Sequence, residues 1–511
     1  MSVFRGGFDA ADAAVVAGAP AGVLARLADR SLLECDQDGR FGLHPVLASF
    51  VRERLNVDPE AAAVRERHAR HFAAFARLQG DRVHGPDHAD ALGAFGRERA
   101  NLAHAAAWGL EHDADLALEL AFDRLPAWRY AGRFREGFEA AEAACAVAER
   151  AGRRARIGGL VAAGSMAYRL GDLARARVRL LAALDEAAVA GADDDPGGDA
   201  AGADRGAWRA LGDVAYEEGV YDEAARCFGR ALEAARASGD EVEELASATG
   251  VGRTAAVRGD VGTARRQLVR ALEVAKRRGS PSSLASAHFN LSSLARDSGD
   301  LGAAEAHVVQ ALELDERIGD RWGVATDLRQ LAELAIERGE LALGERRYQE
   351  ALELCRAIGD ATGEADAHHA LGLAAVRRGD LVAGLKHQRA ALAVRQDAGQ
   401  EALAVPLAWA LARLAEAAGR PRAAARFWGA EAALRARFKV LLRETDASTH
   451  AHDLAETRAR LGDAEFEAQA RRGSSTSLSE LAADFELDGD EAARARAVSP
   501  DVASRRSPRR P

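Results

Sequence analysis

Glycine recurs at Gly219, Gly259, Gly299, Gly339, Gly379 and Gly419, always at the same interval. A second series, offset by half that interval, runs Gly239, Gly279, Gly319, Gly359 and Gly399. With 49 glycines in 511 residues, six in strict register arise by chance about once in a million starting phases, so the chain reads first of all as an array of repeats. The intervals are EEGVYDEAARCFGRALEAARASGD, VRGDVGTARRQLVRALEVAKRRGS, DSGDLGAAEAHVVQALELDERIGD, ERGELALGERRYQEALELCRAIGD and RRGDLVAGLKHQRAALAVRQDAGQ. Each glycine lies between amphipathic stretches of about four helical turns. There it can take the left-handed conformation that ends a helix. The acidic residue after it (Asp260, Asp300, Glu340, Asp380) suits the start of the next helix. The predicted unit is helix, tight turn, helix, tight turn.

The packing positions recur in the same phase. Leu211, Val251, Leu291, Leu331, Leu371 and Leu411 mark the first helix. Ala224, Ala264, Ala304, Gly344, Gly384 and Ala424 mark the start of the second, where a small residue lets the helices approach. Ala231, Ala271, Ala311, Ala351 and Ala391 follow, and Phe228, Leu268, Val308, Tyr348 and Trp428 fill a bulky site between. Leucine beside a small residue, then alanine, a bulky residue and alanine at these offsets closely resembles the tetratricopeptide-repeat (TPR) pattern, over about residues 205–440. The long, forty-residue period resembles the variant found in bacterial signalling regulators. The resemblance implies an all-α fold, a TPR α-solenoid in which helix pairs stack into a right-handed superhelix. Stacking is required, because one pair cannot bury its apolar face alone.

Two degenerate helix pairs are expected over residues 115–190, with the signature RLGDLARARVRLLAAL at Gly171. The acidic, glycine-rich stretch ADDDPGGDAAGAD interrupts the array, and residues 191–204 read as a flexible surface loop. By TPR resemblance the concave groove is lined by first helices. Its inward positions include Arg209, Asp213, Tyr216, Arg253, Phe289, Asn290, Arg296, Arg329, Glu333, His369, Arg377, Trp409 and Arg413. Aromatic rings and arginines in one groove suit recognition of a protein or peptide. The arginines suit an acidic peptide or a carboxylate effector. The alternative is that most of them pair with acids of neighbouring repeats.

The two ends carry a further resemblance. MSVFRGGFDAADAAVVAG and APAGVLARLADRSLLECDQDGRFGLHPVLASFVRERL read as helix, helix, short hairpin, helix, with Asp38–Gly39 as a two-residue turn. This resembles the winged-helix domain of the signal-transduction ATPases with numerous domains (STAND), whose bacterial members include MalT-like and LuxR-type regulators. The segment with Glu98, Asn101, Leu102 and Trp108 resembles the helices that follow that domain. RAAARFWGAEAALRARF and LGDAEFEAQARRGSSTSLSELAADF resemble the last repeat and closing cap. The implied organisation is a winged-helix domain (1–57), helical linker (58–114), degenerate pairs (115–190), loop (191–204), six repeats (205–440), cap (441–488) and a disordered basic tail (489–511) with Arg505, Arg506, Arg509 and Arg510. The resemblance implies that His44, opening the last winged-helix helix, senses nucleotide; the other reading is a capping or core histidine. The family's ATPase core precedes the winged helix. Here no GxxxxGK[ST] loop occurs, and no lysine lies before Lys276. The sequence therefore reads as a C-terminal half: a split or truncated gene with a separate ATPase module as one candidate partner, a mis-assigned start, or a stand-alone arm.

The remaining residues argue against chemistry. No HExxH, CxxC pair or nucleophile elbow is present. GVGRTAAVRG falls inside a repeat helix, so it is not read as a phosphate loop. His368, His369 and His387, or His450 and His452, lack a completing carboxylate, so neither a metal nor any other cofactor is expected. Cys35, Cys145, Cys227 and Cys355 are far apart and read as reduced, buried small hydrophobes. A net charge of −10 disfavours a nucleic-acid footprint. No stretch reaches a membrane span's length, so a cytoplasmic, non-catalytic protein is expected. The leading reading is the binding arm of a STAND-type regulator. The other is a stand-alone TPR scaffold joining proteins.

Overall fold

The computed structural model describes residues 1–37, 39–190, 200–438, 440 and 444–487. The amino-terminal elements are α1 (Ala10–Ala17), α2 (Ala21–Asp29), β1 (Leu33–Cys35), β2 (Phe41–Leu43) and α3 (Pro45–Asn56). There follow α4 (Ala61–Val83), α5 (His88–Arg97), α6 (Arg99–His112), α7 (Ala114–Asp123), α8 (Leu125–Tyr130), α9 (Phe134–Cys145), α10 (Arg153–Arg169) and α11 (Leu173–Ala190). The repeats comprise α12 (Ala200–Glu217), α13 (Tyr221–Ser238), α14 (Glu241–Val257), α15 (Val261–Arg278), α16 (Pro281–Asp297), α17 (Leu301–Ile318), α18 (Arg321–Glu337), α19 (Leu341–Ile358), α20 (Ala361–Arg377), α21 (Leu381–Asp397), α22 (Val405–Ala417) and α23 (Pro421–Phe438). The chain closes with α24 (Glu444–Leu461), α25 (Asp463–Ser474) and α26 (Leu478–Asp484). The fold is all-α, a TPR-type α-solenoid of helix pairs.

Two compact units form. The first is Met1–Leu211 with Cys227–Ser247 and Glu273–Ser283; the second is Gly212–Arg226 with Ala248–Leu272 and the chain from Leu284 on. In the first, Phe4, Phe8, Leu24, Phe72, Phe95 and Leu102 make a shared core, with the Phe4 and Phe8 rings stacked at 4.5 Å. The N-terminal segment is tied to α6 by Asn101. Its Oδ1 accepts from the Arg5 N–H at 2.6 Å, and its Nδ2 donates to Gly7 O and Glu98 Oε2 at 2.9 and 2.7 Å. Glu98 also pairs with Arg40 at 2.5 Å. Buried His68 lies 3.3 Å from Asn101 Oδ1, and burial lowers its pKa to about 4.

In the second unit the glycine period has its predicted geometry. From Gly219 to Gly419 the first series takes φ between 72° and 86°. The next residue donates its N–H five positions back: Val220 to Ala215, Asp260 to Ala255, Asp300 to Ala295, Glu340 to Ala335, Asp380 to Ala375 and Arg420 to Ala415, at 2.8–2.9 Å. A Cβ at any of these glycines past Gly219 would meet open space, so glycine is needed for its φ and not for room. Gly344 and Gly384 are needed for room: a Cβ would fall 2.5 Å from Ile336 Cγ1 and 2.7 Å from Val376 Cγ2. Asp260, Asp300 and Asp380 accept from the N–H three residues on, at 2.9–3.0 Å. Glu340 makes no such bond, because its longer side chain does not fit the N-cap turn.

Three expectations need correction. The hairpin bond Asp36 N–H to Arg40 O, the Gly39 N–H to Asp36 O turn and Gly39 φ of 77° make a three-residue loop ending in a left-handed glycine, not a two-residue turn; Asp38 itself lies outside the described residues. The predicted loop 191–204 lies outside the described residues only to 199, since α12 begins at Ala200. Cys35 is exposed and Cys145 partly so, whereas Cys227 and Cys355 are buried; all four are free. Cys35 shares a strand face with buried Leu33 but stands exposed at the end of β1. The basic tail lies outside the described residues. Among those described, no single helix is long and apolar enough to cross a membrane; only the pair α1 and α2, bent by 109°, reaches that length jointly.

Candidate functional site: the first-helix face

Every residue predicted for the groove except Arg209 lies in the second unit. Arg209, in the first, donates from Nε to Glu243 Oε2 at 2.9 Å. Arg253 stacks over the Tyr216 ring at 4.3 Å and lies 3.8 Å from Asp213 Oδ1 and 3.9 Å from Glu217 Oε1. Arg296 pairs with Glu333. Arg329 donates to Asp366 Oδ2 at 2.9 Å. Burial alone lowers the Arg329 pKa, but Asp366, Cys355 and Asp360 outweigh it and the net shift is upward. Asp366 also takes the buried Arg395, which donates onward to Gln400 at 2.6 Å. Arginines paired with an acid of a neighbouring repeat therefore recur along this face.

The other predicted residues divide. Phe289 is half-buried and Arg377 exposed. Asn290 is buried and turns back on its own helix, donating to Ser286 O at 2.7 Å. His369 meets Gln388, Nδ1 to Oε1 at 2.9 Å, and Gln388 Nε2 donates to His369 O at 3.1 Å; burial lowers the His369 pKa. Trp409 Nε1 donates to Asp453 Oδ2 at 3.0 Å, and Arg413 Nε lies 3.4 Å from the same oxygen. The structure thus brings together Tyr216 with Arg253, Arg296 with Glu333, and Trp409 with Arg413. His44 stands in the first unit at the head of α3. It is exposed, its carbonyl accepts the Leu47 and Ala48 N–H groups, and its Nε2 lies 3.9 Å from Glu34. It is not a core residue.

Sequence reasoning missed Asp366, Gln388 and Asp453. Gln388 occupies the bulky position of its repeat, one period after Tyr348, so the repeat register could have found it. Asp453 stands one period after Arg413, as Arg253 stands one period after Asp213, so the same register could have found it.

The histidines pair in a way the sequence hinted at. His368 Nδ1 lies 2.9 Å from His387 Nδ1, and two periods earlier His288 and His307 repeat the arrangement at 3.0 Å. Arg356 Nη2 donates to His368 Nε2 at 2.8 Å, so His368 carries its proton on Nδ1 and donates it to His387. Ring centroids 5.1 Å apart put the nitrogens head to head, the geometry of a shared proton and not of two lone pairs aimed at one ion. Burial, then His387 and Arg356, lower the His368 pKa to about 4. Among the described residues no three metal-ligating side chains gather.

No family model matches the sequence, and no curated protein matches it. Among solved structures the chain is similar to a signal transduction ATPase with numerous domains (STAND) protein with a tetratricopeptide repeat sensor from Pyrococcus horikoshii. The identity is 14% and the TM-score 0.51, over 92% of this chain and 64% of that one. It is also similar to a Rap protein complexed with Competence and Sporulation Factor, at 13% identity and a TM-score of 0.53, over 72% of this chain and 99% of that one. At such identities these likenesses show the fold, a TPR-type helical-repeat solenoid.

Proposed function

We propose that the chain is a non-catalytic binding arm of a STAND-type signalling or transcriptional regulator, and that its first-helix face takes a protein or peptide. The observation that carries this is the pairing of rings with guanidinium groups on that face, above all Arg253 over Tyr216 at 4.3 Å and Trp409 beside Arg413 on a shared carboxylate. Aromatic residues and arginine dominate binding hot spots. Guanidinium groups already oriented by neighbouring acids meet a partner's carboxylate with less loss of conformational entropy. A small carboxylate effector uses the same chemistry on a smaller scale.

The STAND context is supported by likeness of fold to a STAND protein with a TPR sensor, and a bound partner by likeness of fold to a Rap protein complexed with Competence and Sporulation Factor. In this reading residues 1–57 are a winged-helix domain, residues 205–440 the regular repeats, and His44 reports on nucleotide held by a separate ATPase module. The test is affinity capture with the full chain and with a Phe289→Ala, Arg377→Ala variant, both side chains lying outside the ion-pair ladder. Partners retained equally by both would sink the binding-face reading. A P-loop protein captured by the full chain and lost on His44→Ala supports the ATPase link; its absence from both captures removes that link.

A further inference from the structure

Four basic residues of the first unit gather where the N-terminal segment, α3, α4 and α6 meet. Arg5 is fixed on α6. Its N–H donates to Asn101 Oδ1 at 2.6 Å, and a Cβ on the adjoining Gly6 would stand 3.1 Å from Ala100 Cβ. One turn on from Asn101, the His104 ring stands edge-on to His68 of α4, with centroids 5.3 Å apart. One turn before His68, Arg65 donates from Nη2 to Asn56 Oδ1 at 2.5 Å, at the end of α3. Arg52 precedes Asn56 by one turn on the same face of α3. Arg5, Arg65 and His104 are half-buried and Arg52 is exposed, so the group is reachable from solvent.

No carboxylate balances this group. Elsewhere in the unit arginines take acids: Arg99 takes Glu136, Arg156 takes Glu186 and Arg179 takes Glu142. Glu98, one turn before Asn101, is already held by Arg40 and by Asn101. Among the described residues Arg52 and His104 make neither a hydrogen bond nor an ion pair. Arg5 Nη1 donates to the carbonyls of Ser2 and Phe4 at 2.9 and 3.2 Å, which orients the guanidinium and leaves its Nε and Nη2 without a protein acceptor. Burial, then Arg5, Arg65 and Arg52, lower the His104 pKa, and after burial Arg52 and Arg65 act on Arg5 in the same sense. Like charges so placed repel one another. Acids are not scarce, with 79 of them against 69 lysines and arginines, so a basic group without one is the place where an external anion gains most.

We propose that Arg5, Arg52, Arg65 and His104 form an anion site for a small phosphorylated molecule. A carboxylate carries one charge on two oxygens, and a single guanidinium fork satisfies it. A phosphate group carries nearly two charges on three terminal oxygens and takes donors from several directions, as four separate elements supply here. Arg52 and Asn56 stand about 12–18 Å along α3 from His44. The site is therefore distinct from the nucleotide role given to His44 and from the first-helix face, and it stands or falls independently of both.

The experiment is isothermal titration calorimetry of the full chain at low salt, with inorganic pyrophosphate as the probe. Arg52→Gln and Arg65→Gln should each weaken binding about ten-fold, the loss of one charge-assisted hydrogen bond. Arg52 makes no bond within the chain, so its variant keeps the fold. Arg54→Gln removes the same charge from another face of the same helix and should leave binding unchanged. No binding to the wild type, or equal losses in Arg52→Gln and Arg54→Gln, overturns the proposal; the second result would mean diffuse attraction with no site. Citrate, a polycarboxylate, should bind about ten-fold more weakly than pyrophosphate, and equal affinity overturns the assignment to phosphate. His44→Ala should bind pyrophosphate as the wild type does; a loss there would make the site part of a nucleotide sensor and overturns its independence.

Discussion

At the scale of single residues, the sharpest departure from expectation is a pair of buried acids. Asp315 is 7% and Asp327 1% exposed. In the preceding repeat these positions are Ala275 and Ala287, and in the following one Cys355 and Ala367. Asp327 Oδ2 has no hydrogen-bond partner. Burial, with Asp320 or the other member of the pair adding to it, raises both carboxyl pKa values. A carboxyl whose pKa is raised on folding contributes stability that is fully present below its unfolded pKa, about 3.9, and lost as pH rises through the folded value. Asp327→Ala should therefore stabilise the chain at pH 8 by roughly 1–3 kcal/mol and change little at pH 4; thermal unfolding at the two pH values checks the sign. Neither acid was legible in the sequence, since an aspartate in an amphipathic helix looks like a solvated face. Asn101 was legible only through a family likeness, which says nothing of its bonds. Asn101→Ala removes the acceptor for the Arg5 N–H and the donor to Gly7 O and Glu98. It should cost roughly 2–4 kcal/mol, measured by urea unfolding of the full chain; a loss below about 1 kcal/mol would mean water replaces all three bonds.

At the scale of elements, turns were the most readable part, because a left-handed residue after an alanine-rich helix leaves a compositional mark once in every period. The acid after each glycine was readable as a class, but its role depends on one methylene. Asp380 accepts from the Ala383 N–H at 3.0 Å, whereas Glu340 makes no side-chain cap. Asp380→Ala should cost about 1 kcal/mol, and Glu340→Ala should be neutral within about 0.5 kcal/mol. The reverse order in thermal unfolding would place the cap energy in the helix dipole and not in the hydrogen bond. The hairpin shows the opposite limit. Asp38–Gly39 signals a turn, but its length is set by the Asp36–Arg40 bond, which pairs residues that propensity alone does not relate. The groove was readable as a row of positions, and the ion-pair ladder along it was not, because the acids that hold its arginines lie in neighbouring repeats.

For the molecule as a whole, the second unit is built from a succession of small cores. Leu268 with Leu291, Val308 with Leu331, and Tyr348 with Leu371 each close one interface. The last core, from Ala365 to Phe485, is larger because the closing helices add Phe466, Leu478 and Phe485. In such an array stability is approximately a sum of nearest-neighbour terms, so a defect should stay local. Gly429 and Gly229 test this, since they occupy the same position of the repeat register, five periods apart. A Cβ at Gly229 meets open space, while one at Gly429 collides with the Ala470 carbonyl. Gly229→Ala should stabilise by about 0.5–1 kcal/mol through helix propensity. Gly429→Ala must push α23 off α25 and should cost about 3 kcal/mol. Hydrogen exchange should show α23, α25 and α26 losing protection while α16 to α19 keep theirs. If protection falls equally across all of these helices, the array unfolds as one cooperative block and nearest-neighbour additivity does not describe it.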